Sequence, residues 1–188
     1  MENNPEITMQ SLLTQIEKLE KKVKKLENNR QDQLSMAIVS GDMDKILAAM
    51  IISLAAAAMD TKVKLFFSFW ALSALRDPKK SGKGKNFIST MFGMMLPKGK
   101  NQLKLSNMNM VGMGPMMIKM LMKQKNVMSL EEMFKQAGEL GIEITICELS
   151  MDLMGFQKAE FIDYPHLRYA GAATFVADAG ESSMQLFI

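Results

Sequence analysis

A chain of 188 residues, 48% apolar and 23% charged, has room for one ordinary domain plus an appendage and is too apolar to remain disordered. Its single cysteine, Cys147, and single histidine, His166, exclude an internal disulfide framework, a CxxC redox pair and a Cys/His zinc site within one chain. The net charge of +3 hides a segregation: Arg76 to Lys104 carries eight basic residues against Asp77 alone, and Ser129 to Ile188 carries ten acidic residues against three basic. Such a dipolar chain steers an anionic partner to one face, pairs with its own copies, or simply presents two solvated faces.

The opening MENNPEITMQ lacks the basic-then-apolar pattern of a secretory signal. Residues 9 to 30 place Met9, Leu12, Ile16, Leu19, Val23 and Leu26 three and four apart, a heptad seam of about three repeats. Ile16 and Val23 fall at a, with Leu12, Leu19 and Leu26 at d, the pattern of parallel dimers. The alternative is one amphipathic helix packed on its own domain. Asn28 to Asp32 reads as a linker, which sets a boundary between a heptad segment, 1–33, and the body, 34–188.

The body alternates strand and helix. Leu34 to Val39 is a short apolar strand, and Ser40 or Asp42 can cap a helix from Met43 to Met59. The longest apolar run, Ile46 to Met59, has 14 residues and suits a buried helix better than a membrane span. Val63 to Trp70 reads as a second strand, with Leu103 to Leu105 as the weakest candidate for a third. A helix over Leu130 to Leu140 ends at Gly141 and leads into the β-branched strand Ile142 to Cys147. A small-residue helix, 171–179, and a terminal strand, 184–187, complete the chain. The alternation predicts a mainly parallel sheet of about five strands covered on both faces.

Cys147 ends one of those strands, at the carboxyl edge where ligands of open α/β sheets bind. The first turn of a helix is expected over Ser150 to Gly155, and a helix N-terminus favours a thiolate. Glu148 opposes it. From position alone, a reactive thiol and an inert buried cysteine stand level.

The stretches beginning SGDMDKILAAM, LKLSNMNMVGM and YAGAATFVADAG, and above all CELSMDLMG, resemble the DsrE/DsrF-like family over most of residues 34 to 188. The resemblance implies a three-layer α/β/α Rossmann-like domain that oligomerises. It also implies a place in sulfur relay, with one cysteine accepting and passing on a persulfide sulfur. Only Cys147 can occupy that role, with Ser150, Asp152 and Gly155 as cap and turn residues after it. The expected partners are further copies of the chain and a thiol or persulfide sulfur-carrier protein, and the activity is that of a sulfurtransferase-like carrier at most. No cofactor or metal centre is expected, and the reducing compartment implied by one free cysteine points to the cytoplasm.

Two other classes compete. One is a non-catalytic oligomeric adaptor that docks proteins through Met-rich and basic surfaces, with peripheral membrane contact less favoured. The other is a small-molecule or nucleotide-binding module in which Cys147 is incidental. The Met-rich stretch Asn107 to Met122 offers a docking surface, thioethers for copper(I), or simple core filling, the last being methionine's usual role. Lys79, Lys80, Lys83 and Lys85 form a basic loop that could hold an anion or a partner, but GKGK lacks the spacing of a P-loop. The segment lacks the interleaved aromatics of a single-strand nucleic-acid surface, so no nucleic acid is expected, and a solvated loop is the simpler reading. His166 reads as structural.

Overall fold

A computed structural model describes residues 9–29, 31–82 and 87–188 of the chain. It divides into two units, Met1–Gln31 and Asp32–Ile188. In the first, α1 (Met9–Asn29) is helical as its periodicity predicts, and Met9, Leu12, Ile16, Leu19 and Val23 of the seam are all exposed.

The second unit is an α/β sandwich built on a five-stranded sheet of β1 (Gln31–Ile38), β2 (Lys62–Phe67), β3 (Glu143–Cys147), β4 (Leu167–Ala170) and β5 (Ser182–Phe187), in the order β4-β3-β2-β1-β5. β1 with β2, β2 with β3, and β3 with β4 are parallel pairs. At the β5 edge, Ile188 N donates to Ala37 O at 2.9 Å and Val39 N to Ile188 O at 2.8 Å, again the parallel pattern. The sandwich therefore has the Rossmann-like architecture expected of it.

The two faces of the sheet differ. Leu34, Met36, Ile38, Leu65, Phe67, Ile144 and Ile146 point to one side, into a continuous apolar core. That side is covered by α2 (Met43–Ala58) and α5 (Leu130–Glu139), which contact each other, and Phe134 of α5 meets Phe67 at 6.3 Å between ring centroids. α5 starts at a capping box: Ser129 Oγ accepts from Glu132 N at 3.3 Å, and Ser129 N donates to the Glu132 carboxylate at 2.7 Å. The opposite side carries Gln33, Ser35, Lys64, Phe66, Thr145 and Arg168 under α7 (Ala172–Glu181). Gln33 Nε2 donates to Ser182 Oγ at 2.8 Å and to Asp178 O at 3.0 Å, and Lys64 is ion-paired with Asp178.

Three expectations need correction, and one strand was not foreseen. Leu103–Leu105 is not a strand: Lys104 O accepts from Met43 N at 2.7 Å, so this segment caps the start of α2, and Leu103 is buried there. The place beside β3 is filled by β4, a four-residue strand whose sequence, LRYA, carries little apolar signal. β2 stops at Phe67, because Phe69 turns to a φ of 46° and opens a 3-10 helix, Phe69–Leu75, that takes up Trp70. β1 begins at Gln31, inside the expected linker. The remaining helices are α3 (Phe87–Met95), α4 (Met113–Gln124) and α6 (Glu148–Leu153). Among the described residues, no helix is long and apolar enough to cross a membrane.

Candidate functional site

β3 delivers Cys147 to the carboxyl edge of the sheet. Phe66 pairs with Thr145, and the Phe66 ring lies 5.5 Å from that of Phe175 in α7. Side chains alternate along a strand, so Thr145 and Cys147 share the α7 face. Cys147 pairs with Ala170 of β4, and Ser68, just past the end of β2, comes level with it on the other side. The cysteine is 4% exposed, so its sulfur lies beneath the surface in this conformation. Next to Ala170, Gly171 faces open space, with no atom within 4 Å of where a side chain would begin.

Helix α6 begins directly after the cysteine, two residues earlier than expected, and Cys147 is its N-cap residue. Ser150 therefore lies inside the helix rather than capping it. It is buried, and its Oγ shares a 2.8 Å hydrogen bond with Ser68 Oγ, which ties α6 to the end of β2. Asp152 is exposed, and its carbonyl accepts from Gly155 N at 3.0 Å in the turn that closes the helix. Gly155 has a φ of 64°, and a Cβ there would come within 2.2 Å of Ser89 Oγ and 2.8 Å of Ser89 Cα. Only glycine fits that turn.

The carboxylate expected to oppose a thiolate has its own counter-ion: Lys158 Nζ lies 2.9 Å from Glu148. Residues not singled out by sequence complete the rim. Ser68 is one, and Phe69 and Trp70 are exposed at the same edge. Gly41 lets the turn after β1 approach Trp70, since a Cβ there would lie 2.4 Å from the Trp70 carbonyl oxygen. A register between β2 and β3 was the signal needed to find Ser68, and one sequence does not contain it.

The basic loop does not join this site as a free cluster. Lys80 Nζ is held by Asp163 at 2.7 Å and by Phe161 O at 3.1 Å, whereas Lys79 is exposed. Lys83 and Lys85 lie outside the described residues. His166 lends its backbone carbonyl to Ile144 N at 3.0 Å, a structural contact. Among the described residues, no three His, Cys, Asp or Glu side chains gather as a metal centre.

The profile of the DsrE/DsrF/DrsH-like family matches residues 30–187. The chain is 44% identical over 154 residues to the uncharacterized protein YrkE of Bacillus subtilis, covering 82% of this chain and 95% of that one. It is 34% identical over 165 residues to the sulfur carrier protein DsrE2 of Allochromatium vinosum, covering 84% and 99%. Among solved structures it is similar to the ychN protein of E. coli, at 10% identity and a TM-score of 0.47 over 83% of this chain and 99% of the other. On the family match and these two relatives, the chain belongs to the DsrE/DsrF/DrsH-like family.

Proposed function

We propose that this protein is a cytoplasmic sulfur carrier that accepts a sulfane sulfur on Cys147 and passes it to a second thiol. The observation that carries the reading is the placement of the chain's one cysteine at the carboxyl edge of the sheet, at the start of α6, in a chain similar to a protein named as a sulfur carrier. The Cys147 thiolate attacks the outer sulfur of a donor persulfide. An S–S bond forms to Cys147, the donor's S–S bond breaks, and the donor leaves as a thiolate. An acceptor thiolate then attacks the outer sulfur of the Cys147 persulfide and releases the Cys147 thiolate. No external oxidant or reductant is consumed. With no second cysteine in the chain, no internal disulfide can drain the intermediate.

Burial sets a condition on this chemistry. The sulfur must be uncovered during transfer, and in the β4–α7 turn next to Ala170 the place where a Gly171 side chain would begin lies in open space. Local opening of that turn costs far less than global unfolding. The test is alkylation of the folded protein by iodoacetamide: Cys147 should label slowly but measurably under native conditions. Labelling only after denaturation contradicts the reading.

The carrier acts as a homo-oligomer. α7 and β5 leave Val176 at 68% and Phe187 at 75% exposure, and no residue of α7 is buried within the chain, as suits a face that meets another copy. The α1 seam supplies a second contact. A non-catalytic adaptor is favoured by the exposed methionines Met108, Met113, Met116, Met117 and Met120; it requires that Cys147→Ser leave function intact.

A further inference from the structure

From Pro78 to Leu130 the sequence holds ten lysines and no aspartate or glutamate. Part of this segment borders a cleft between α4, the start of α5 and the start of α2, on the side of the sheet away from Cys147. The cleft has a volume of about 550 Å³, within the range of small-molecule sites. Its apolar lining combines the buried Met43 and Leu130, the half-buried Met122 and the exposed Val127 and Met128. Its rim carries Lys100, Lys119 and Lys123, with the amides of Asn101 and Asn126 between them.

The carboxylate on this lining is already engaged: Glu132 accepts from Ser129 N at 2.7 Å and Ser129 Oγ at 2.8 Å to cap α5. Lys119 Nζ donates to Asn101 O at 2.7 Å, which fixes its head beside the cleft and uses one of its three protons. Lys100 is partly buried, with Nζ 5.0 Å from the centre of the Phe134 ring. Burial pulls its pKa below the ordinary lysine value, against the pull of Glu131 and Asp77 from outside the cleft. A cation so placed gains from an added anion.

We propose that this cleft binds a small amphiphilic oxyanion: an organic phosphate, sulfonate or carboxylate. Its head is held by Lys100, Lys119 and Lys123, and its apolar body lies on Met43, Met122 and Met128. The methionine lining adapts to the shape of that body. The site shares no residue with the Cys147 edge and is independent of the sulfur-carrier reading.

Calorimetric titration of the full chain with hexyl phosphate and with inorganic phosphate tests the proposal. Hexyl phosphate should bind at least about tenfold more tightly, because its methylenes leave water for the apolar lining. Lys100→Met, and separately the pair Lys119→Gln with Lys123→Gln, should each weaken hexyl phosphate about three- to tenfold, whereas Lys125→Gln, outside the lining, should not. Should Lys100→Met fail to fold, the exposed pair decides. The proposal is overturned by no saturable binding of hexyl phosphate, by equal affinity for the two probes, or by losses no larger than that of Lys125→Gln.

Discussion

Replacing Glu160 by Gln should destabilise the protein severely, because it strands a buried cation. Arg76 is 2% exposed and Glu160 3%, and their charged groups approach to 3.3 Å. The guanidinium also donates to Gly93 O at 3.0 Å, Leu96 O at 3.3 Å and Pro97 O at 3.4 Å, and stacks 4.5 Å from the centre of the Phe156 ring. It thus gathers carbonyls at the C-terminal end of α3, where a cation suits the helix dipole. Burial lowers the basicity of Arg76, and the Glu160 charge restores part of it. Breaking one side of such a buried pair costs about 3–5 kcal/mol. The carbonyl bonds survive in Glu160→Gln, which places it near the lower end, about 3 kcal/mol, whereas Arg76→Met also frees those carbonyls and should cost about 5 kcal/mol. The double variant should cost clearly less than the sum, since neither charge is left alone. Urea unfolding followed by far-UV circular dichroism measures all three, with a shifted midpoint at constant slope. A loss under about 1 kcal/mol for Glu160→Gln, or strict additivity in the double variant, refutes the reasoning.

Gly155→Ala should cost about 2 kcal/mol in the same assay, from the left-handed backbone and the clash with Ser89 together; an unchanged midpoint shows that the turn after α6 relaxes freely. Asp44 accepts from the backbone and hydroxyl of Ser106; burial pushes its carboxyl up, but these bonds and Lys45 hold it below the ordinary 3.8. A depressed folded pKa gives stability that is present above the unfolded value and lost as pH falls through the folded one. Asp44→Asn should therefore flatten the acid limb between about pH 5 and pH 2 relative to the parent, and a superimposable limb contradicts the assignment. Deleting residues 1–29, which spares β1, should leave the sandwich folded and weaken self-association in light scattering across concentration. An unchanged association constant removes the seam from the assembly.

The apolar runs of β1, β2 and β3, the stop of α5 at Gly141, and the place of Cys147 at a strand end were legible because each is written in a local pattern, whereas the start of α2 is capped by Lys104 O and not by the Ser40 or Asp42 side chain. β4 was not, because four residues with Arg168 at their centre gain their place from pairing with β3, more than twenty positions earlier. The end of β2 was hidden for a different reason: FFSFW stays apolar across it, and the chain turns on the backbone angle of Phe69. At the candidate site, CELSMDLMG spans the end of β3 and all of α6, yet α6 starts two residues earlier than read and Ser150 became a tether to Ser68. That contact joins residues 82 positions apart and depends on the sheet register. Burial of the thiol was equally out of reach, since the strands and turns around it come from distant parts of the chain.

The most direct test of the central claim is the intact mass of the folded protein before and after a persulfide donor, then after an acceptor thiol. The folded protein should gain one sulfur atom that maps to the Cys147 peptide and lose it to the acceptor, with no gain in Cys147→Ser. A protein that stays at its unmodified mass with every competent donor, or a Cys147→Ser variant that gains sulfur equally, contradicts it.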